Sequence, residues 1–265
     1  MKEPASLRLG TRRVLVTGGG TGIGRSVAER LLGDGGRVVV VGRRAEPLES
    51  LARAHPDRAF ALPADLGDRH ARDGLVRRAR DLLGGLDGMV HSAGEVLHQP
   101  FGHIDERALR SQMEVNLIAP LRLGEEALEV LEPGGAMVFV SSTLAVRPIS
   151  TSAVYSAAKA GLSGVMRALA IAGASRRIRA NAVVAGVVDT EMIRALRTLP
   201  GEPEPATESE RRARVDAQLR ALAALHPLGR LGTADEVAHS VVHLLAAQWT
   251  TGADLVVDGG LLLRE

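Results

Sequence analysis

Tyr155 is the only tyrosine of this 265-residue chain, and Lys159, four residues on, is its only lysine beyond Lys2. Arginine supplies the other strongly basic side chains, so a general need for positive charge did not put a lysine at 159. On a helix, positions i and i+4 share a face, which makes the phenol and the ammonium neighbours. A nearby cation favours phenolate, so the pair predicts a phenol pKa pulled below its usual ~10. That is acid/base chemistry aimed at an oxygen atom. Ser142, thirteen residues upstream of Tyr155, offers a further hydroxyl. A Tyr-x-x-x-Lys spacing alone is more often an accident of a surface helix, and the rest of the chain has to decide.

The N-terminus supplies a second half. Arg12-Arg13-Val14-Leu15-Val16-Thr17 reads as a short buried strand, and Arg25 to Leu32 has helical periodicity. Between them stands Gly18-Gly19-Gly20-Thr21-Gly22-Ile23-Gly24. Strand, glycine turn and helix, in that order, aim backbone N–H groups and a helix N-terminus at a phosphate. The spacing is Gly-x-x-x-Gly-x-Gly rather than the commoner G-x-G-x-x-G. Dinucleotide binding is the favoured reading, and a plain tight turn is the alternative.

Apolar strand candidates alternate with helical segments. Strands are predicted near 13–17, 37–42, 58–62, 87–92, 136–141, 178–184 and 253–257. Helices are predicted near 23–33, 46–54, 69–83, 105–131, 152–174 and 234–247. Continuous apolar runs such as Val38 to Val41 fit strands covered on both faces. The fold expected is α/β: a Rossmann-type doubly wound parallel sheet of about seven strands with helices on both faces. One domain is expected over residues 1–265, with an excursion at about 191–226. That excursion holds the turn-rich Pro200-Gly201-Glu202-Pro203-Glu204-Pro205 and a helical stretch from Ser209 to Leu225.

Composition excludes several classes. There is no cysteine, so disulfides and thiolate metal sites are ruled out. The net charge is only +2, with arginines and acids interspersed, so nucleic-acid binding is not expected. No apolar run approaches the ~20 residues of a membrane span, which makes a cytoplasmic protein the expectation. His239 and His243 stand at i, i+4 without an evident third ligand, so no metal is expected.

Taken together, Thr17-Gly18-x-x-x-Gly22-x-Gly24, Asn116, Ser142 and Tyr155-x-x-x-Lys159 resemble the short-chain dehydrogenase/reductase family, in its single-domain branch. The resemblance runs from about residue 11 to residue 260, with the motifs in order and at family spacing. It implies hydride transfer between a nicotinamide and a carbonyl or secondary alcohol. Tyr155 would be the general acid/base, Ser142 would bond the same oxygen, and Lys159 would hold the nicotinamide ribose. Asn116 would hold a water linking Lys159 to solvent. Gly18, Thr21, Gly22, Ile23 and Gly24 would line the pyrophosphate, and Ala93 and Gly94 would lend backbone. Asp65 and Leu66 would contact adenine, though Asp65 reads equally well as a plain turn acid. Val188 and Thr190 would face the carboxamide. The excursion at 191–226 would be the substrate lid. The smooth, nearly uncharged helix carrying Tyr155 would be covered by a second subunit, in a homotetramer or homodimer.

Two departures from the family stand out. His91-Ser92-Ala93-Gly94 replaces the usual Asn-Asn-Ala-Gly, which puts local contacts in doubt. Ala185-Gly186 replaces Pro-Gly, which loosens the expected nicotinamide wall. The general look is closest to 3-oxoacyl thioester reductases. A reductase or dehydrogenase of another small ketone or alcohol (cyclic, sugar or steroid-like) is the alternative, as is a catalytically silent cofactor-binding regulator. NADP(H) is the expected cofactor. An acidic residue ending the second strand, about 20 residues past the glycines, would hold the ribose 2′-hydroxyl of NAD. This chain reads Gly42-Arg43-Arg44 there, and guanidinium groups suit a 2′-phosphate.

Overall fold

The computed structural model describes residues 12–197 and 203–264. The central part of the expected lid, 198–202, therefore lies outside the described residues. Among those described, seven strands form one parallel sheet in the order β3-β2-β1-β4-β5-β6-β7. They are β1 (Arg13–Thr17), β2 (Arg37–Gly42), β3 (Ala59–Pro63), β4 (Gly88–His91), β5 (Ala136–Ser142), β6 (Arg179–Ala185) and β7 (Asp254–Val257).

Side chains alternate across each strand, so both faces must be apolar and both must be covered. Val14, Val16, Val40, Val138 and Val183 point to one side, where they meet Val27 and Leu31 of α1 (Gly22–Gly33) and Val241 and Leu245 of α10 (Ala234–Ala246). Leu15, Val39, Met89, Phe139 and Ala182 point to the other. There they meet α4 (Leu75–Leu83), α6 (Ala119–Val130) and α7 (Ala153–Gly173). Each fully buried Val, Leu, Met or Phe among them contributes on the order of 1.5–3 kcal/mol. With so few aromatics, Phe139 is the only one among the largest fully buried side chains.

The remaining helices are α2 (Ala45–Ala54), α3 (Arg69–Arg72), α5 (Glu106–Met113), α8 (Glu191–Arg194) and α9 (Glu208–Ala223). Three departures from expectation have local causes. The helix expected over 69–83 is broken, because Gly74 adopts φ +69° between α3 and α4. The helix expected over 105–131 is interrupted by a π-turn at Glu114–Ile118, which holds Asn116. Widened turns of this kind are frequent at functional sites. The short α8 has too little periodicity to be read from sequence. α10 opens with a capping box, in which Thr233 and Glu236 cap each other's backbone reciprocally. No helix among the described residues is long and apolar enough to cross a membrane.

Candidate active site

Strand order reverses beside β1, whose neighbours are β2 and β4, and ligands of such sheets bind beyond the strand ends at that point. A cavity of about 820 Å³ opens there. Of the site residues expected from sequence, all but Gly24 and Asn116 line it.

The glycine turn has the shape a phosphate needs. Gly18 and Gly22 sit at φ +67° and +54°, where an L side chain is strained. A Cβ on Gly18 would lie 2.8 Å from the Ala93 nitrogen, filling the space between β1 and β4. Gly24 lies beneath the cradle: its Cβ would fall 2.3 Å from the Gly18 carbonyl oxygen, so the residue sets how closely α1 meets the turn. Thr21 begins α1 without capping it through its side chain, and no acid occupies the first turn. Those first N–H groups are available to an anion. The residues present thus fit a dinucleotide's pyrophosphate.

Arg43 and Arg44 lie exposed at the far end of the cavity, just past β2. Arg44 donates to Glu191 of α8 at 2.7 Å. The Asp65 carboxylate accepts from the Gly67 N–H at 2.9 Å, so the side chain acts as a turn acid at the cavity wall.

The candidate proton-transfer groups come from β5, α7 and the π-turn. Ser142 ends β5; its Oγ accepts from the Leu144 N–H at 3.1 Å, and its hydroxyl stands near enough to the Tyr155 phenol to favour the phenolate. Ser141, by contrast, is buried, and its hydroxyl has no partner among the described residues. Lys159 is buried one turn beyond Tyr155; its Nζ donates to the Val140 carbonyl at 2.9 Å and lies 5.6 Å from the phenol ring centroid. Asn116 is fully buried. Its Nδ2 donates to the carbonyls of Glu95 at 2.7 Å and Gln112 at 2.8 Å, and its Oδ1 accepts from the Glu95 N–H. A Cβ at Gly94 would stand 3.1 Å from Asn116 Oδ1 and 3.7 Å from Lys159 Nζ, so only glycine leaves that corner open.

The expected lowering of the phenol pKa is corrected by the structure. Burial pushes Tyr155 up to about 12, and the hydrogen bond from Ser142 offsets only part of that rise. The same burial brings Lys159 down to about 8, so the cation meant to favour phenolate is itself disfavoured. A phenol of this kind is protonated at neutral pH, the state a proton donor needs.

The two motif departures find compensation. Thr17 Oγ1 accepts from the Ala93 N–H at 3.3 Å and meets His91 Nδ1 at 3.1 Å. The hydroxyl proton is therefore free to be donated to Nδ1, which requires a neutral imidazole. His91 is fully buried, and burial followed by the charge of Lys159 lowers its pKa to about 3. Gly186 donates its N–H to the Val257 carbonyl at 3.0 Å, so β7 holds the wall despite the missing proline.

The His91 contact has a pH consequence. Between about 6.5 and 3 the unfolded chain binds a proton at this residue that the folded protein refuses. Its contribution is complete above about pH 6.5 and is lost as pH falls, at roughly 1.4 kcal/mol per unit. Urea unfolding of native protein and His91→Asn between pH 7 and 4 checks this. The native protein should lose stability faster on acidification, and parallel curves would refute it.

Two histidines, His98 at the cavity and His226 behind the strand-end wall, escaped the sequence reading. His98 Nδ1 meets the Ser152 hydroxyl at 2.7 Å, just before α7 begins. His226 accepts the Val187 N–H on Nε2 at 3.2 Å and donates from Nδ1 to the Leu222 carbonyl at 3.0 Å, tying the end of the expected lid to the end of β6. Their partners are distant in sequence, so no spacing pattern marks them.

Comparison with known proteins agrees with this geometry. Residues 18–262 match a family model described as enoyl-(acyl carrier protein) reductase. The chain is 36% identical to cis-4-hydroxycyclohexanecarboxylate dehydrogenase of Sinomonas cyclohexanicum, over 94% of this chain and 96% of that protein. It is 32% identical to the human 3-oxoacyl-[acyl-carrier-protein] reductase, over 94% and 97% of the two chains. A short chain dehydrogenase from Burkholderia cenocepacia, solved in complex with NADP, superposes with a TM-score of 0.83 at 30% identity, covering 96% of this chain and 99% of that one. The chain belongs to the short-chain dehydrogenase/reductase family. It is an oxidoreductase of the kind that acts on alcohols and ketones, and family members bind a nicotinamide cofactor.

Proposed function

We propose that this protein is an NADP(H)-dependent enzyme that interconverts a ketone and a secondary alcohol, with Tyr155 as general acid/base. One observation carries the reading: Ser142, Tyr155 and Lys159 share a cavity with a glycine phosphate cradle and two arginines where an acid would mark NAD.

Gly18, Thr21, Gly22 and Ile23 would hold the pyrophosphate, with Gly24 setting the turn, and Arg43 and Arg44 would hold the 2′-phosphate. Asp65 and Leu66 would contact the adenine, Ala93 and Gly94 would lend backbone to the cofactor, and Val188 and Thr190 would contact the carboxamide. When bound, the nicotinamide supplies a hydride to the carbonyl carbon or accepts one from the carbinol carbon. Tyr155 gives its phenolic proton to the carbonyl oxygen as that oxygen takes the electron pair of the C=O bond. Ser142 donates a hydrogen bond to the same oxygen, where negative charge develops. Lys159, whose Nζ donates to the Val140 carbonyl, would hold the ribose hydroxyls of the bound cofactor and is the group that resupplies a proton to Tyr155. Asn116, clamped by Glu95 and Gln112, positions the water that reprotonates Lys159.

The names of the relatives place a 3-oxoacyl thioester and an alicyclic hydroxy acid among substrates to test. We further propose one catalytic domain in the cytoplasm, with α8 and α9 as the lid, assembled as a homotetramer or homodimer. α7 supports the assembly: Ala157, Ala160, Gly164, Ala168 and Ile171 form an exposed, uncharged stripe along it. Screening ketones and secondary alcohols with NADPH and NADP+ tests the activity. Turnover that requires Tyr155 is expected. A folded, cofactor-binding protein that turns over nothing would instead favour a silent regulator.

A further inference from the structure

Beyond Tyr155, the cavity changes character. Its walls there are aliphatic, with Val96, Leu144, Ile149, Ile193, Leu222 and Leu262. Ile149, Met192 and Leu225 keep 44%, 42% and 40% of their surface exposed, so the apolar wall is open toward the space a substrate would fill. Into the same space project Arg147, Arg197 and Arg264. The acids lining the cavity among the described residues are Asp65 and Glu191. Asp65 is occupied in its turn at the adenine end, and Glu191 is paired with Arg44. The substrate half thus carries cations and aliphatic surface, and no carboxylate among the described residues.

Three elements bring these cations together. Arg147 follows Ser142 by five residues on the loop leaving β5, and its Nη1 donates to the Arg264 carbonyl. Arg264 donates to the carbonyl of Ala224, at the end of α9, at 3.0 Å. Arg197 lies just past α8, its backbone N–H held by Gln218 of α9 at 3.0 Å. Arg197 is partly buried, and that burial lowers its pKa; its charge in turn adds to the burial that takes His98 down to about 4. A guanidinium removed from water beside apolar walls is unfavourable until an anion joins it. His98 is neutral at pH 7, so the positive charge comes from the arginines.

We propose that the substrate is a ketone or secondary alcohol on an aliphatic or alicyclic skeleton that carries a carboxylate, read by Arg197 with Arg147 at the rim. The inference rests on the oxidoreductase reading above, which supplies the reacting carbonyl. It adds the second recognition point that fixes the skeleton between Tyr155 and the arginines. A hydrogen bond to a charged group contributes enough for a roughly 10- to 150-fold preference over a neutral isostere.

Two measurements test it separately. In the presence of NADP+, calorimetric titration with cyclohexanecarboxylate and with cyclohexanecarboxamide reads the anion site without turnover. The carboxylate should bind at least tenfold more tightly, and Arg197→Gln or Arg147→Gln should weaken it several-fold. Equal binding of the two compounds, absence of binding, or native-like carboxylate binding by both variants would overturn the proposal. With NADPH, kcat/KM for 4-oxocyclohexanecarboxylate should exceed that for its methyl ester at least tenfold, and the ratio should shrink toward one in Arg197→Gln. An ester that reacts as well as the acid refutes the carboxylate assignment while leaving the oxidoreductase reading intact. Arginine-dependent carboxylate binding with no turnover of any ketone does the reverse. A phosphate could supply the anion instead, so 3-oxobutanoyl thioesters of phosphopantetheine and of pantetheine should react alike. A tenfold gain from that phosphate, without a gain from the carboxylate, also overturns the proposal.

Discussion

Tyr155→Phe is expected to lower kcat by ~10²–10⁴-fold, the usual cost of removing a general acid. The substitution keeps the ring and removes the only phenol of the protein. Neighbours change little, because the hydroxyl's partner among the proton-transfer groups is Ser142 at the cavity wall. Folding and cofactor affinity should therefore be close to native, and the loss should fall on kcat rather than on KM for the cofactor. Lys159 differs: it is buried, bonded to Val140, and is the group proposed to hold the ribose. Lys159→Ala should lower kcat and weaken cofactor binding together. A folded Tyr155→Phe protein with turnover near that of the native enzyme would remove the phenol from the mechanism.

The second large effect concerns the cofactor. NADPH should be preferred over NADH by at least tenfold, and Arg43→Ala should erase most of the difference. The arithmetic is that of a charge-assisted hydrogen bond, about 1.5–3 kcal/mol, which corresponds to roughly 10- to 150-fold in affinity. Arg43 is the sharper probe of the two arginines. Arg44 also pairs with Glu191, so changing it would disturb α8 as well as the phosphate site. That exposed pair contributes at most about 1 kcal/mol, and a 2′-phosphate can displace it. Steady-state kinetics with both cofactors checks this, and equal or better kinetics with NADH would show that the turn after β2 reads something other than a phosphate.

Much of the fold was legible because this sheet is buried on both faces. Strands such as Val38 to Val41 must then be continuously apolar, and glycine or charged turns bound them. The candidate cradle was legible because close backbone approach favours glycine, and the candidate proton-transfer set because tyrosine, lysine and asparagine are so rare here. What escaped depends on three-dimensional context. The break at Gly74 is a backbone conformation that many glycines never adopt. The π-turn around Asn116 arises where that side chain clamps the loop after β4. The direction of the Tyr155 pKa could not be read from spacing, because i, i+4 proximity says that a cation is near but not how much water both groups lose. His226 and Arg197 owe their places to long-range contacts that leave no periodic trace.

The central claim is direct hydride transfer between the nicotinamide and a carbonyl carbon, and following the hydrogen tests it most directly. The native enzyme would be incubated in ordinary water with a ketone that it reduces and with NADPH carrying deuterium at both C4 positions. Mass spectrometry of the alcohol should find one deuterium, bound to the carbinol carbon, with the hydroxyl proton drawn from solvent. Alcohol formed without deuterium on that carbon, or no oxidation of NADPH by any ketone offered, would contradict the account.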